Sequence, residues 1–468
     1  VGFATVAKRA SDDRAAIAAL QTPAPGTPNV LLIVWDTARA LNMSLYGYER
    51  ETTPNLARRA ADGIVFDHVL SPASWTLPAH ASMFTGRWHH ELSANWFVPL
   101  DDEFPTLAEV LTDRGIATAG FAANVSYVSF KHGLDRGFIH YEDFPVSAGQ
   151  IALSSALARL FVGWNWLRGL IEHHRALNQR TADEVNEIVL DWIDEHSDRT
   201  FFVFANYFDA HEPLLPPEPF HSRFGPRRPW GPFEHGMNAG DHADKDNRPA
   251  EDVRMMIDRY DASIAYLDDA FDRLLAHLED RGLLENTLVI LTADHGEHWG
   301  EKELFDHGNS LYQQLLYVPL VVLPPRGHER GIRVEAPVST RDIPATVLHY
   351  LNQPNGIFPG QSLTRLHHGQ AVPDTLLARL DTESRHARAV AIGPYKYMWM
   401  TVAGEPRRDE LFQYFEDPFE ENNLFDDPQY QGLVAEMDST LKAQMKSSSV
   451  VLPVEPTEPP VQTASARP

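Results

Sequence analysis

The sequence predicts an α/β protein with a doubly wound, mostly parallel sheet, helices on both faces and a smaller C-terminal subdomain. Continuous apolar segments, typical of strands buried on both faces, alternate with segments of helical period. Two of these apolar segments end in an aspartate, Asp36 and Asp294. Ligands of such sheets bind outside the carboxyl ends of the strands, so both aspartates are candidate site residues.

The N-terminal half begins with a lead, residues 1–28, that combines a weak helix with a Pro-rich end. The segment VLLIVW, ending at Trp35, predicts the first buried strand. TTPNLARRAADG then predicts a helix that begins at Pro54 and stops at Gly63, because proline favours the first turn and glycine the end of a helix. TLAEVLTDRG and IATAGFAAN add a helix and a strand.

The middle of the chain predicts a helical insertion at about 147–197 and a buried strand, TFFVFANYF. A loop rich in Pro, Gly and His covers 212–249, which is too long for a simple connection and indicates either a binding loop or disorder. A long helix ending at Gly282 and two more buried strands, TLVILTAD and YVPLVVLPP, complete a large α/β domain over 29–372.

Two further segments follow this domain. Residues 373–445 show a shorter, alternating pattern that predicts the C-terminal subdomain, and the Pro- and Ser-rich tail 446–468 is expected to be disordered. The most apolar run, 151–171, contains two arginines, so it predicts an amphipathic surface or lid helix and no transmembrane segment.

Composition excludes several function classes. With 65 acidic and 40 basic residues the formal net charge is −25, which argues against nucleic acid as a partner. An anionic substrate would need a local positive site, and a bound metal would supply one. The chain has no cysteine, so disulfides and thiolate metal sites are excluded.

Acidic and histidine residues cluster after the strand TLVILTAD. Asp294 and His295 follow it directly, and His307 lies thirteen residues beyond Asp294. Together with Asp36 from another strand end, these carboxylate and imidazole groups suit zinc or manganese.

Thr76, in the segment SWTLPAHASMFTGR, stands at a predicted helix entrance. One interpretation is an N-cap residue, with Leu77 at the first helical position and Pro78 within the first turn. The other is a nucleophile, since a helix N-terminus stabilises an anion and a nearby metal would help the hydroxyl to lose its proton.

Several segments together resemble the sulfatase family of the alkaline phosphatase superfamily, in its Thr-nucleophile branch. They run in order from about residue 29 to 425 and are NVLLIVWDTAR, TTPNLARRAADGIVF, SWTLPAHASMFTGR, FPTLAEVLTDRGIATAGFAAN, LDRGFIHYED, LTADHGEHWGE, LYVPLVV, STRDIPATVLHYL and LFQYFEDPFEENNLF. The resemblance implies a doubly wound sheet, a divalent metal held by Asp36, Asp294 and His295, and Thr76 as the covalent nucleophile that shares the metal.

The sequence departs from the usual sulfatase pattern at the nucleophile. Thr76-Leu77-Pro78-Ala79-His80 stands where typical members have Cys-x-Pro-x-Arg, and threonine cannot yield the formylglycine aldehyde. Trp35-Asp36 replaces the usual pair of aspartates. Threonine nucleophiles are characteristic of the phosphorus-transferring branches: nucleotide pyrophosphatase/phosphodiesterases, phosphoethanolamine transferases and lipoteichoic acid synthases.

By the same resemblance, His211 and His307 look like the histidines of the phosphoethanolamine transferases. They would bind non-bridging oxygens, protonate the leaving group or hold a second metal. His80, four residues after Thr76, either hydrogen-bonds the nucleophile or the substrate, or only packs. Arg39 is a candidate for neutralising a ligand carboxylate or contacting the substrate.

The sequence therefore predicts a metal-dependent hydrolase of phosphate or sulfate esters that acts through a covalent intermediate on Thr76. Phosphodiesters and phosphonate monoesters are the favoured substrates. Zinc or manganese is the expected ion, with calcium and magnesium as alternatives. The substrate is a small-molecule, lipid or glycan ester. Alternative functions are a phosphoethanolamine- or phosphoglycerol-type transferase, a sulfatase acting without formylglycine, and a binding protein with a decayed site.

Overall fold

The central sheet has eight strands and is mostly parallel. The computed structural model describes residues 2–143, 180–226, 248–367 and 375–446. The predicted helix at 151–171, the rest of the insertion before residue 180, most of the 212–249 loop and nearly all of the 446–468 tail lie outside these ranges. The strands up to residue 339 are β1 (Asn29–Trp35), β2 (Ile64–Phe66), β3 (Val69–Leu70), β4 (Ala117–Ala122), β5 (His140–Glu142), β6 (Phe201–Tyr207), β7 (Thr287–Ala293), β8 (His298–Trp299), β9 (Phe305–Asp306), β10 (Leu320–Leu323), β11 (Ile332–Val334) and β12 (Val338–Ser339).

The strand order is β11-β2-β10-β7-β1-β6-β4-β5. The four central strands β7, β1, β6 and β4 are all parallel, and the residues of β1, β6 and β7 are buried throughout. The continuous apolar segments of the sequence are therefore strands covered on both faces, as predicted.

The helices are α1 (Gly2–Ala19), α2 (Pro54–Ala60), α3 (Thr76–Thr85), α4 (Leu107–Asp113), α5 (Ala182–Glu195), α6 (Ala250–Asp280), α7 (Gln313–Leu316), α8 (Ile343–Tyr350), α9 (Thr364–His367) and α10 (Gln431–Met445). The helices cover both faces of the sheet, as the side chains of β6 show, since these point alternately to the two faces. Phe201 contacts Trp192 of α5, whereas Phe204 contacts Phe84 of α3. The prediction of a doubly wound α/β fold is confirmed.

Strand β10, predicted only as a buried strand, runs against its neighbours, because it pairs antiparallel with β7 and β2. The chain between β7 and β10 contains no crossover helix other than the four-residue α7. Without a crossover helix to return the chain to the opposite edge of the sheet, β10 runs back from the edge where β7 ends.

The C-terminal part forms a separate antiparallel sheet of β13 (Thr375–Asp381), β14 (Arg385–Ile392), β15 (Tyr395–Val402) and β16 (Arg408–Gln413). One face packs against α10 through Val434, Met437 and Leu441, and the other packs against Leu311, Tyr312 and Leu316.

A buried ion pair holds this sheet to the larger domain. Lys396 Nζ of β15 lies 2.7 Å from Glu420 Oε1, and both side chains are fully buried. Lys396 also donates to the carbonyl oxygen of Leu311, and Glu420 accepts from the backbone N–H of Gln313. The DPFE segment therefore fixes the position of α7 against the C-terminal sheet.

Candidate active site

Four neighbouring parallel strands bring polar side chains to one edge of the sheet. Asp294 directly follows β7 and Asp36 directly follows β1, and the register pairs Trp35 with Ala293 immediately before them. Asn206 is the penultimate residue of β6, and Asn124 lies two residues beyond β4. This is the carboxyl edge, where ligands of such sheets bind.

Asp36 and Asp294 form a buried carboxylate pair. Asp36 Oδ2 accepts hydrogen bonds from the side-chain amides of Asn124 (2.9 Å) and Asn206 (3.3 Å). Asp294 Oδ1 accepts from the backbone N–H groups of Thr37 (3.1 Å) and His295 (2.8 Å). Within the described part of the chain, the other oxygen of each carboxylate has no hydrogen-bond partner.

This arrangement fits a cation. Asp36, Asp294 and His295 are all buried and each offers one ligand atom, with these atoms within 4.8 Å of one another. Burial, and then the neighbouring charge of Asp36, raises the pKa of Asp294 well above its usual range. Two buried carboxylate oxygens without donors are costly unless a positive charge lies between them.

His295 is held in the tautomer that a metal ligand needs. Its Nδ1–H donates to the carbonyl oxygen of Gly296 at 2.9 Å, so Nε2 keeps its lone pair. Nε2 lies 3.4 Å from Asp294 Oδ2. Burial, followed by the charge of His307, lowers the pKa of His295 well below its ordinary value, which favours the neutral ligand form.

The turn after β1 carries backbone strain at Thr37, whose φ is +59°. A β-branched residue rarely adopts this conformation. It directs the Thr37 N–H to Asp294, while its carbonyl oxygen accepts from Tyr260 Oη at 2.7 Å. The strain is thus coupled to the placement of the carboxylate pair.

Thr76 is the first residue of α3, and Trp75, in extended conformation, occupies the N-cap position. The expectation that Thr76 itself is the N-cap residue is wrong by one position. Its hydroxyl lies 3.2 Å from His295 Nε2, and the residue is only 1% exposed. The structure therefore places the hydroxyl beside the carboxylate pair, at the positive end of the helix dipole.

His80 lies one turn after Thr76 in α3. Its Nδ1–H donates to the carbonyl oxygen of Thr76 at 2.9 Å, and Nδ1 lies 3.6 Å from Asp294 Oδ2. The ring packs edge-on against Phe84 and Phe204. Burial lowers its pKa, so the neutral ring braces the first turn of α3 against Asp294.

His307 stands in a column of stacked rings. It lies 4.5 Å from the His295 ring and 4.9 Å from Trp75, which stacks at 3.5 Å on Trp96. The buried carboxylate of Glu297 accepts from His307 Nδ1–H at 3.0 Å. These contacts orient the imidazole beside the ring of His295, whose Nε2 faces Thr76 and Asp294.

His211 approaches from the loop after β6, with its ring 5.1 Å from that of His307. Its Nδ1–H donates to the carbonyl oxygen of Glu212 at 2.8 Å. The pKa of His211 is lowered, first by burial and then by the charge of His307, and the carboxylates of Asp36 and Glu297 only partly oppose this shift. Thr76, His80, His211 and His307 are thus gathered around the two aspartates and His295.

Arg39 is placed elsewhere. Its guanidinium pairs with Glu301 at 2.8 Å and donates to the Glu297 carbonyl oxygen and the Asn42 side chain. It braces the segment after β8 and the turn after β1. Neither the Asp36 carboxylate nor the Thr76 hydroxyl is among its contacts within the described ranges.

Three residues of this site escaped the sequence analysis: Asn124, Asn206 and Glu297. Asn206 breaks an otherwise apolar strand next to its carboxyl end, and Asn124 ends the segment GFAAN, so both carried the same positional signal as Asp36. Glu297 belongs to the segment DHGE, but only the structure shows that it contacts His307.

Comparison with known proteins decides the family. The sulfatase family model matches residues 28–353, well over half of the chain. The chain belongs to the sulfatase family. As a member of it, the protein is a sulfatase-like hydrolase that acts on ester bonds.

Two curated relatives have low sequence identity to this chain but align with it over most of their length. The chain is 25% identical over 459 residues to the uncharacterized sulfatase YidJ of Escherichia coli K12, covering 88% of this chain and 86% of that protein. It is 24% identical over 485 residues to the multifunctional alkaline phosphatase superfamily protein PehA of Trinickia caryophylli, covering 87% and 93%.

The fold also matches solved structures. The phosphonate monoester hydrolase of Agrobacterium radiobacter superposes with a TM-score of 0.67 at 21% identity, covering 89% of this chain and 96% of that one. None of the described helices is both long and apolar enough to cross a bilayer.

Proposed function

We propose that this sulfatase-family protein is a metal-dependent hydrolase of phosphate or sulfate esters that acts through a covalent intermediate on Thr76. Phosphodiesters and phosphonate monoesters are its favoured substrates. The observation that carries the proposal is the position of the Thr76 hydroxyl, 3.2 Å from His295 Nε2 at the first turn of α3, next to the two aspartates.

The side chains that would hold the metal are Asp36, Asp294, His295 and Thr76. Their carboxylate, imidazole and hydroxyl donors fit zinc or manganese. When bound, such an ion lowers the pKa of a hydroxyl and withdraws charge from a phosphoryl oxygen. Asn124 and Asn206 keep Asp36 oriented by binding its second oxygen.

In the first half-reaction, Thr76 Oγ1 forms a bond to the phosphorus or sulfur atom while the bond to the leaving oxygen breaks. The hydroxyl proton of Thr76 passes to solvent, and His307 or His211 gives a proton to the leaving oxygen, which departs as an alcohol. The free N–H groups at the start of α3 stabilise the charge that develops on the transferred group.

In the second half-reaction, water attacks the same atom, the bond to Thr76 Oγ1 breaks and this oxygen takes up a proton from solvent to restore the hydroxyl. The histidine that lost its proton accepts one from the water, so the enzyme returns to its starting state with inorganic or ester acid as product. His307 is better placed for this exchange, because Glu297 accepts from its Nδ1–H and supports either charge state at the opposite nitrogen.

The preference for phosphorus rests on the nucleophile. An unmodified threonine forms a stable ester link that must be cleaved by water, which suits phosphoryl transfer. Two relatives support it by name, one a multifunctional alkaline phosphatase superfamily protein and the other a phosphonate monoester hydrolase. Sulfate-ester hydrolysis with unmodified threonine, and transfer to a lipid or glycan hydroxyl, are the alternatives.

The test compares wild type with Thr76→Ala and Thr76→Ser, and uses Thr85→Ser as the matched control. Thr85 is a buried threonine on the same helix, with its hydroxyl bonded to the Ala81 carbonyl oxygen. Turnover of p-nitrophenyl phosphate, a phosphodiester, a phosphonate monoester and a sulfate is measured with Mn²⁺ or Zn²⁺, and metal content is quantified.

We expect a phosphodiester or phosphonate monoester to be cleaved fastest. Thr76→Ala should lose activity by about 10³-fold or more, as for removal of a catalytic nucleophile, while keeping most of the metal. Thr76→Ser should retain part of the wild-type activity, and Thr85→Ser should retain nearly all of it. Full activity in Thr76→Ala refutes the nucleophile, and a rate that requires an added alcohol acceptor favours the transferase.

A further inference from the structure

A cavity of about 600 Å³ opens at the carboxyl edge of the central sheet, between the α/β domain and the C-terminal sheet. Tyr317 precedes β10, His68 follows β2 and Arg333 lies in β11, so the cavity stands over the strands on the far side of β7. β2 is three strands from β1, which is roughly 14 Å at the usual strand spacing. Its volume is typical of a small-molecule site.

About half of the residues that line the cavity carry aromatic or imidazole rings, and the fold holds several of these rings in place. Tyr46, Tyr48, His68, Tyr317, Tyr414, Phe415 and Phe419 line it. His68 stacks on Phe415 at 3.4 Å, and Tyr46 Oη accepts from the backbone N–H of Leu320 at 2.9 Å. These rings therefore need little rearrangement to meet a ligand.

Gln313 supplies the polar group that points to a ligand. It lines the cavity and is 1% exposed, yet neither its side-chain nitrogen nor its side-chain oxygen has a hydrogen-bond partner among the described residues. Its backbone is fixed, since its N–H donates to Glu420 of the buried ion pair. A buried amide without partners is costly, and a ligand that both accepts and donates a hydrogen bond would satisfy it.

The charges of the cavity indicate an uncharged ligand. Arg333 Nε pairs with Asp67 at 2.6 Å and its guanidinium lies 6.0 Å from the centre of the Tyr46 ring, so the cavity already contains a cation beside its rings. Glu49 and Glu335 add two exposed carboxylates at the rim. A phosphate or sulfate group would face these carboxylates and the strongly acidic chain as a whole.

We propose that this cavity binds an uncharged saccharide, separately from the hydrolytic centre. The flat, apolar face of a sugar ring packs on aromatic rings, and its hydroxyl groups both donate and accept, as the Gln313 amide requires. The inference does not depend on Thr76 chemistry, because binding is measured without turnover.

The experiment measures binding of neutral trisaccharides with gluco, manno and galacto configurations to the full chain by calorimetry and by saturation-transfer NMR. Thr76→Ala is included so that no ester chemistry contributes. Gln313→Leu and Phe419→Ala are the test variants, the second at an exposed ring, and Phe97→Ala is the matched control at an exposed ring away from the cavity. Tetramethylammonium and inorganic phosphate serve as charged probes.

We expect at least one neutral trisaccharide to bind with a Kd of about 1 mM or below. Gln313→Leu and Phe419→Ala should each weaken it by about tenfold, while Phe97→Ala and Thr76→Ala bind like wild type. Absence of saccharide binding at about 10 mM would overturn the proposal, and so would binding of tetramethylammonium or phosphate alone. Binding by both test variants as tight as that of wild type would also overturn it. Unfolding temperatures check that the variants fold, and Phe419→Ala stands as the test if Gln313→Leu does not.

Discussion

Replacing Asp36 by asparagine tests whether the carboxylate pair is built for a cation. In metal-free protein, one oxygen of Asp36 and one of Asp294 lie within 4.8 Å. Two unit charges at that separation repel by about 3 kcal/mol at an effective dielectric constant of about 20. The raised pKa of Asp294 lets it take up a proton, which relieves part of this repulsion.

Asparagine preserves the shape of Asp36 and can still accept from the amides of Asn124 and Asn206. We therefore expect Asp36→Asn to stabilise the chelator-treated protein by about 1–3 kcal/mol. In excess Mn²⁺ or Zn²⁺ the order should reverse, because an ion at about 100 times its Kd stabilises wild type by about 2.7 kcal/mol and the variant loses a ligand.

The assay is urea unfolding with chelator and with metal. Asp261→Asn is the matched control, since Asp261 is equally buried but is compensated by Arg50, Tyr48 and Asn42. It should lose about 1–3 kcal/mol under both conditions. The reasoning is refuted if Asp36→Asn destabilises the metal-free protein as much as Asp261→Asn does, and metal leaves wild type unchanged.

Three further predictions concern other parts of the molecule. Lys396→Met should destabilise the protein by about 3–5 kcal/mol in urea unfolding because it leaves Glu420 buried without its cation, and adding Glu420→Leu should restore most of that loss; equal stability of Lys396→Met and wild type would contradict this. Burial and Arg379 lower the pKa of His89 from 6.5 to about 3, so only the unfolded chain binds this proton and stability should fall as pH drops through that window; His89→Gln should flatten the fall, and an unchanged pH profile would refute the assignment. Glu297→Gln should reduce kcat by about 10- to 100-fold with little change in KM, because His307 loses the carboxylate that orients it. The exposed control Glu303→Gln should leave kcat unchanged. Equal kcat values for the two variants would show that Glu297 does not position His307.

The sequence was sufficient where the signal was local. Continuous apolar runs predicted β1, β6 and β7, and the acidic residue directly after a buried strand predicted that Asp36 and Asp294 lie at the carboxyl edge of the sheet. Both inferences depend only on the pattern within a few residues and on the general rule for strand ends. The direction of β10 was beyond reach in this way, because it depends on how the chain returns across the sheet edge.

Pairings between distant segments explain the rest. Asn206 approaches Asp36 because β6 pairs with β1 in a register that places Val34 opposite Asn206, and nothing within TFFVFANYF specifies that register. Lys396 and Glu420 look like surface charges in the sequence, yet both are fully buried where the two sheets meet. The one-residue error at Thr76 has a local cause, since extended Trp75 serves as N-cap without a side-chain cap bond.

The most direct test of the central proposal is a search for the covalent intermediate. Metal-loaded wild type is mixed with a phosphodiester or phosphonate monoester, quenched in acid within the first turnovers, digested and analysed by mass spectrometry. We predict that the transferred group is found on Thr76, appears as fast as the first leaving group and disappears when substrate is exhausted. Full turnover with Thr76 unmodified at every time point, or the group on another side chain, would contradict the mechanism.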